Sequence, residues 1–341
     1  MAASINNEDY FQINSEILAS FPKHRPPLDL FVFREDICVL EPIFRKGSRL
    51  NDAQAEEIAA ICANGNLFVA HSDQNIYKHH MIRQLDLVLL DPHLNESEIA
   101  ELCIMGIVQR YNSYYDQPIP EMMDLLYRDV MVVTEYIWND KHRIMPFMRR
   151  LCRIGQHARR AVNTMIVGTW LWMQCTKEYT RKELDRVMLA LAVHDVGMCK
   201  IPQFFLTKRG KLTPDEWDKM TQHTIASVKL MQKSDLKFEE LIRACFEHHE
   251  RMDGSGYPQH LKGPQISPMG RITAVADSFS AMITERSYAK AKDLTQAGKE
   301  LLDDKRYDRT FSTILSAAFV PGGPLAEPVD MDAKIDAIAK N

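Results

Sequence analysis

The sequence predicts a mainly α-helical protein, in which a helical bundle domain follows a small α/β domain and a helical linker. Helical patterns, interrupted by loops rich in glycine and proline, run from about residue 142 to about residue 320. Short segments with strand-like alternation lie near the N-terminus. The 341 residues, of which 45% are apolar, are enough to build two hydrophobic cores.

The N-terminal part of the chain is predicted to hold an extension and then the small α/β domain. Residues 1–25 are polar and end in the proline-rich stretch FPKHRPP. Within residues 26–80, the segments LDLFVF, DICVLEPIF and NLFVAH are typical of strands. The segment LNDAQAEEIAAICANG has helical spacing, with Gly65 as its predicted C-cap. A regulatory or dimerising role for this domain is a hypothesis motivated only by its position.

The rest of the chain is predicted to be helical except at its end. Residues 81–145 are expected to form the helical linker, with Asn95 or Ser97 capping its first long helix. Residues 146–320 are expected to form the main domain. Its segment AVNTMIVGTWLWMQC is predicted as a buried helix because it is too short and too polar to span a bilayer. Residues 321–341 are predicted to be a C-terminal tail.

Charge and cysteine content argue against several classes of protein. The 42 basic and 46 acidic residues leave a net charge of −4, which argues against a surface for nucleic-acid polymers or membranes. The seven cysteines are odd in number and never form a CxxC pair, so they are expected to be reduced thiols of a cytoplasmic protein. No signal peptide is predicted, because no basic region is followed by an apolar core at the N-terminus.

Histidine and aspartate residues occur at helical positions among apolar neighbours. His194 and Asp195 end the apolar segment RVMLALAV, where burying an unpaired carboxylate would be costly. Metal ions would remove this cost, since imidazole and carboxylate are both good ligands. Further candidate ligands are His157, His223, His248, His249 and Asp277. A single histidine of this kind is more often part of a core, so the hypothesis depends on ligands from several helices converging in a bundle.

Five separated motifs occur in a recognisable order. They are the HD pair at 194–195, the segment KIPQFFLTKRGKLTPDEW, His223, HHERMDGSGYP at 248–258, and ITAVADSFSAM. Together they resemble the HD-GYP family, a branch of the HD phosphohydrolases that degrades cyclic di-GMP in bacteria. The resemblance covers about residues 146–320 and implies an HD-type helical-bundle catalytic domain. It implies hydrolysis of cyclic di-GMP to pGpG through a hydroxide that bridges two metals, with onward cleavage to GMP left open.

The resemblance also implies the members of the site. Two divalent metal ions per chain, iron or manganese, would be held by His157, His194, Asp195, His223, His248, His249 and Asp277. His194 and Asp195 would be catalytic, with Asp195 bridging the two ions. Substrate would be bound by Arg286, Lys290, Gly256, Tyr257 and Pro258. Taken by itself, a tyrosine beside a proline often only closes a loop.

Three positions depart from the family pattern. Members with a three-metal centre carry a glutamate where this chain has Arg153, which cannot bind a cation, so a two-metal site is predicted. In the family, a lysine three residues after the aspartate of the HD pair contacts a phosphate oxygen. This chain has Met198 at that position. Ser280 replaces an aspartate of the family's last motif. Lys200 lies near Met198 but matches a variable position.

These departures leave two classes of function open. The first is a cyclic di-GMP phosphodiesterase. The second is a catalytically weak or inactive relative that acts as a cyclic di-GMP sensor or protein-interaction module, which Met198 and Ser280 favour. A related cyclic dinucleotide would change the substrate and leave the chemistry intact. Protein partners at the GYP loop and a homodimer are further expectations of the same kind.

Overall fold

Two compact units make up the protein in a computed structural model that describes residues 9–155, 157–208, 210–285 and 290–325. The first unit ends at Gly106 and the second begins at Ile107. The boundary therefore falls inside one long helix, α4 (Glu96–Asp116).

The N-terminal unit is built on a four-stranded antiparallel sheet with the strand order β1-β4-β2-β3. The strands are β1 (Tyr10–Gln12), β2 (Leu30–Arg34), β3 (Val39–Phe44) and β4 (Leu67–Ala70). In β4, Leu67 and Val69 are fully buried and alternate with half-buried residues, as expected for a strand with one face on a core. Strand β1 lies in the range predicted as an extension. It was not predicted because three residues are too few to show such alternation.

Three helices accompany this sheet: α1 (Ser15–Ser20), α2 (Asp52–Ala63) and α3 (Gln74–Arg83). Helix α2 begins with a capping box, in which Asn51 and Gln54 satisfy each other's backbone amides. It is followed by Gly65 at φ +73°, a left-handed conformation that glycine adopts without strain. The helix and the glycine stop predicted for this segment are thus confirmed.

The helices that follow α4 are α5 (Pro120–Asn139), α6 (Ile144–Met148), α7 (His157–Cys175), α8 (Arg181–Val193), α9 (Gln203–Thr207), α10 (Pro214–Thr221), α11 (His223–Lys233), α12 (Glu239–Glu247), α13 (Pro268–Ile283), α14 (Leu294–Asp303) and α15 (Arg309–Ala318). Of the two caps considered for α4, the structure has Asn95, whose side chain accepts from the amides of Ser97 and Glu98. Helix α8 starts at a capping box of Thr180 and Glu183.

The core of the second unit lies around α7, which packs against α8 and α13, while α12 packs against the same two helices. Nearly the whole length of α7 is buried, including Val162, Ile166 and Leu171, so the predicted buried helix is confirmed. Among the described residues, no helix combines the length and the apolarity needed to cross a membrane. A mainly helical protein with a small N-terminal α/β domain is therefore confirmed, whereas the exact domain limits stay predictions.

Candidate metal centre

The HD pair lies where α8 ends. His194 caps the helix and Asp195 leads into the 3-10 turn Val196–Lys200. A β-carbon at Gly197 would overlap the carbonyl oxygen of His223, and the Gly197 amide donates to the Ser227 hydroxyl at 2.8 Å. Only glycine lets the backbone after Asp195 lie this close to the start of α11. This close packing brings the HD pair next to His223.

Three buried imidazoles are oriented by carbonyl groups of the helical turn that precedes each of them. His194 Nδ1 lies 2.8 Å from the Leu191 carbonyl oxygen, and His223 Nδ1 lies 2.6 Å from that of Met220. His248 Nδ1 lies 3.0 Å from the carbonyl oxygen of Ala244. A carbonyl oxygen can only accept, so each Nδ1 must carry the proton. Each Nε2 is then left with a free lone pair, which is the form of histidine that binds metals.

These Nε2 atoms meet two carboxylates in a small space. His194 Nε2 lies 3.4 Å from Asp277 Oδ1, and His223 Nε2 lies 3.4 Å from both Asp195 Oδ1 and His248 Nε2. His248 Nε2 is 4.0 Å from Asp195 Oδ1. Ligand atoms of His223, His248 and His249 all lie within 4.8 Å of one another. Ligands at about 2.0–2.2 Å from one ion can be up to about 4.4 Å apart, so much of the set is within reach of shared ions.

The donor set fits divalent metal ions. His194 Nε2, Asp195 Oδ1 and Asp277 Oδ1 are buried and find no hydrogen-bond partner within the part of the chain that the structure describes. Buried acceptors in this state are costly unless something neutralises them. Imidazole nitrogens and carboxylate oxygens at this spacing would be satisfied by divalent cations of the borderline kind. His157, whose ring stacks on Tyr115 with centroids 5.5 Å apart, lies at the edge of the group.

Arg160 is the cation that the structure places beside these carboxylates. Its guanidinium contacts Asp195 and lies 3.3 Å from Asp277 Oδ1. Burial alone would raise the pKa of each carboxyl, but Arg160 lowers the pKa of Asp195 and brings that of Asp277 well below its usual range. Both carboxylates are thus kept ionised, as ligands must be.

Burial also keeps three of the imidazoles neutral. It lowers the pKa of His248 to about 3, with His194 adding to the effect, and lowers that of His157 to about 4, with Arg160 adding to it. The pKa of His249 lies well below its usual value for the same reason. Neutral imidazoles can bind metals without first losing a proton.

The GYP loop closes over one side of the histidines. The Tyr257 ring stacks on His249 with centroids 4.7 Å apart, and its amide donates to the His249 carbonyl at 3.2 Å. A β-carbon at Gly256 would overlap the backbone of residues 249–251, so this position also requires glycine. Pro258 follows in the same loop. The buried Glu250 carboxylate accepts from the amides of Gln259 at 2.6 Å and Leu261 at 3.0 Å, which anchors the far side of the loop.

The three departures from the family pattern have distinct surroundings. Met198 is only 7% exposed, and its carbonyl accepts a hydrogen bond from the Tyr115 hydroxyl at 3.0 Å. Ser280 is fully buried and donates back to the Ala276 carbonyl at 2.7 Å within α13, so its hydroxyl is used inside its own helix. The Arg153 guanidinium donates to the carbonyl oxygens of Ile283, at 2.9 Å, and Lys292.

The structure thus brings together His194, Asp195, His223, His248, His249 and Asp277, although their roles as ligands stay predictions. Of the predicted phosphate-binding residues, Lys290 is exposed and Arg286 lies outside the described residues. Lys200 is exposed as well.

Sequence reasoning missed Arg160, Tyr115 and Glu250. Arg160 follows His157 by about one helical turn, so it shares a helix face with a candidate ligand, which was a usable signal. Glu250 directly follows the histidine pair. Tyr115 precedes all the motifs and reaches Met198 only through the tertiary fold, so no local pattern indicated it.

The family comparison matches residues 147–311 to the HD domain. Among curated proteins, the chain is 38% identical over 135 residues to a cyclic di-GMP phosphodiesterase of Thermotoga maritima, a match covering 39% of this chain and 37% of that protein. It is 39% identical over 113 residues to the cyclic di-GMP phosphodiesterase response regulator RpfG of Xanthomonas campestris, covering 33% of this chain and 30% of RpfG.

A third relative has a different named substrate. The chain is 39% identical over 124 residues to a 3'3'-cGAMP-specific phosphodiesterase of Vibrio cholerae, covering 36% of this chain and 24% of that protein. Among solved structures, Bd1817, an HDG"Y"P protein from Bdellovibrio bacteriovorus, matches 90% of this chain and 98% of its own with a TM-score of 0.56. At 14% identity, that likeness supports the fold alone. The resemblance stated from the five motifs is confirmed.

Proposed function

We propose that this chain, which carries an HD domain of the HD-GYP type, is a metal-dependent phosphodiesterase that opens cyclic di-GMP to pGpG. The observation that carries the proposal is the convergence of three Nε2-directed imidazoles with Asp195 and Asp277. The substrate is inferred from the motif resemblance and from the named activities of relatives. The matched regions cover less than half of this chain and less than half of each of those relatives. A further step to GMP belongs to the same proposal.

The proposed centre holds two divalent ions, iron or manganese. His223, His248 and His249 would hold one side, and His157, His194 and Asp277 the other, with the Asp195 carboxylate between them. Such ions activate water and neutralise phosphate oxygens when bound. The protein's own part is to keep Asp195 and Asp277 ionised and His157, His248 and His249 neutral. It also holds Arg160 where a phosphodiester would need positive charge.

A sensor that binds the nucleotide without turning it over is the second candidate. The buried Met198 favours it, because a thioether cannot supply the charge-assisted contact that a lysine would make there. A lost contact of this kind costs about 1.5–3 kcal/mol, which slows an enzyme by roughly 10- to 150-fold. That reduction would still leave measurable turnover, so we favour the enzyme.

The deciding experiment is elemental analysis of protein purified without chelator, combined with a turnover assay on cyclic di-GMP. Iron(II) and manganese are supplied in separate reactions, and products are separated by ion-exchange chromatography. About two metals per chain with release of pGpG support the enzyme. Bound nucleotide without product would support the sensor, and cleavage of 3'3'-cGAMP alone would reassign the substrate.

Replacing Met198 by lysine is expected to raise turnover. The new ammonium would stand where family members place a phosphate contact, and the Tyr115 bond would survive because it uses the backbone carbonyl. We expect kcat/KM to rise by about tenfold or more, measured at saturating metal. Met198→Gln has a similar length and no charge and serves as the control; an equal gain in that variant would contradict the explanation.

Folding stability is expected to decrease as the pH falls from 7 to 5. Histidines in the unfolded chain take up protons below about pH 6.5, whereas burial holds the pKa of His248 at about 3 and that of His157 at about 4. Protons therefore favour the unfolded state throughout this window, by on the order of 2 kcal/mol per residue at pH 5. Urea unfolding of chelator-treated protein at both pH values measures the loss. His93, exposed in the N-terminal unit, gives a control variant, His93→Gln, that should behave like the wild type.

The cellular setting is proposed from the thiols. None of the seven cysteines, all of which are among the described residues, forms a disulfide, and four of them are buried, which supports a reducing, cytoplasmic compartment. A protein partner at the GYP loop and a homodimer stay predictions.

A further inference from the structure

Trp217 is the most exposed of the four tryptophans, yet it lies close to the candidate metal centre. It is 49% exposed, compared with 36% for Trp138, while Trp170 is buried. Its ring makes a T-shaped contact with the Tyr257 ring, with centroids 5.7 Å apart. The Tyr257 ring in turn stacks on the ring of His249, a candidate ligand. Two ring contacts thus lead from the metal centre to an indole that is open to solvent.

The helix that carries Trp217 also orients a candidate ligand. Helix α10 begins with a capping box of Thr213 and Glu216, and the Trp217 amide donates to the Thr213 carbonyl at 2.8 Å. The carbonyl of Met220, three residues after Trp217, is the one that lies 2.6 Å from His223 Nδ1. Residues three apart are neighbours on a helix surface. One short, capped helix therefore fixes both the indole and the direction of the His223 ring.

The GYP loop on the other side of this ring contact has anchors of its own. The Tyr257 amide is bonded to the His249 carbonyl, and the Glu250 carboxylate holds the amides of Gln259 and Leu261. These bonds fix the loop through its backbone and do not involve the indole. About half of the Trp217 surface therefore remains available to a ligand at the rim of the site.

We propose that Trp217 is a substrate-binding residue whose indole stacks on a purine base of the cyclic dinucleotide while a phosphate of that nucleotide lies at the metal centre. The inference rests on the proposed function, which places the phosphate there. A base is joined to its phosphate through a sugar ring, so a nucleotide bound by the metals carries its base outward to the rim. Stacking needs only the flat face that every base has, so the contact would serve guanine and adenine alike.

The test compares Trp217→Leu and Trp217→Phe with the wild type, using full-length protein loaded with manganese. Binding is measured by calorimetry with a phosphorothioate analogue of cyclic di-GMP, in which sulfur slows cleavage. For Trp217→Leu we expect the Kd of the analogue and the KM for cyclic di-GMP to rise about tenfold, because one stacked base is lost. The kcat should change by less than about threefold, since the lost contact is remote from the reacting phosphate. Trp217→Phe keeps an aromatic ring and should recover most of the affinity.

Two further measurements separate stacking from support of the GYP loop. Metal content should equal that of the wild type in both variants. Inorganic phosphate has no base, so its inhibition constant should be unchanged as well.

Tryptophan fluorescence provides a readout that needs no turnover. The analogue is expected to quench the emission of the wild type, because a base would lie against the Trp217 indole. Trp217→Phe should bind the analogue and lose this quenching. The matched control is Trp138→Phe, which removes another exposed tryptophan, one whose ring contacts Tyr179 with centroids 6.0 Å apart. It should keep the quenching, the Kd and the KM of the wild type.

The outcomes separate this inference from the proposed function. A wild-type protein that binds the analogue without cleaving cyclic di-GMP would overturn the enzyme, while calorimetry and fluorescence would still judge Trp217. Turnover by the wild type, together with an unchanged Kd and KM in Trp217→Leu, would overturn the stacking role alone. Loss of metal or of phosphate inhibition in Trp217→Leu would show that the ring supports the GYP loop instead, and would also overturn it.

Discussion

Replacing Asp195 by asparagine is expected to lower turnover of cyclic di-GMP by about a thousandfold or more, because metal ions contribute several kcal/mol to stabilising such transition states. Asp195 Oδ1 lies within 4.0 Å of the Nε2 atoms of His223 and His248, and Oδ2 faces Arg160. A neutral amide keeps the shape of the carboxylate and loses its charge. Metal content, measured together with the rate, should fall below that of the wild type.

Asp185→Asn is the matched control for this experiment. Asp185 lies on α8, the helix that precedes Asp195, and accepts from the Thr134 hydroxyl at 2.6 Å and from Arg181 at 2.8 Å. Its replacement should reduce stability modestly and leave metal content unchanged. If Asp195→Asn kept its metals and a rate within about tenfold of the wild type, the proposed role of Asp195 would be wrong.

Replacing Gly197 by alanine is expected to have the second-largest effect. The added methyl group would overlap the His223 carbonyl and crowd the Ser227 amide, both of which belong to the backbone of α11. We expect the free energy of unfolding to fall by about 1–3 kcal/mol, as in other overpacked cores. Because α11 carries His223, a shift of this helix should also lower metal affinity by about 10- to 100-fold.

Chelator competition and urea unfolding measure these two losses separately. Gly298→Ala, in α14, is a suitable control, because its β-carbon would approach the Ser316 Cα no closer than 3.1 Å, outside the metal site. Equal metal affinity in Gly197→Ala and the wild type would mean that the close packing of the HD turn on α11 does not set the ligand geometry.

The sequence indicated most of the side chains that the structure brings together, but not the contacts around them. His194, His223 and His248 could be found because each is a polar residue at the end of an apolar or amphipathic helix, where its presence needs an explanation. Strand β1 could not be found, since its pairing with β4 depends on residues far along the chain. The contact of Tyr115 with Met198 likewise depends on how the helices pack.

Arg153 shows a different limit of sequence reasoning. The residue type was enough to predict that this position does not bind a cation. Its guanidinium contacts use the carbonyls of Ile283 and Lys292, which every residue type possesses, so no sequence pattern could indicate them.

The helix-end carbonyls that hold the imidazoles have a consequence for how the centre tolerates change. Each ring is aimed by a carbonyl three or four positions earlier in its own chain, so its direction depends on where that helix terminates. Each added residue turns a helix by about 100°, so one insertion shortly before His248 would point its ring away from Asp195. We therefore expect the site to tolerate changes in the length of the loops between helices better than insertions or deletions in the helical turn just before His194, His223 or His248.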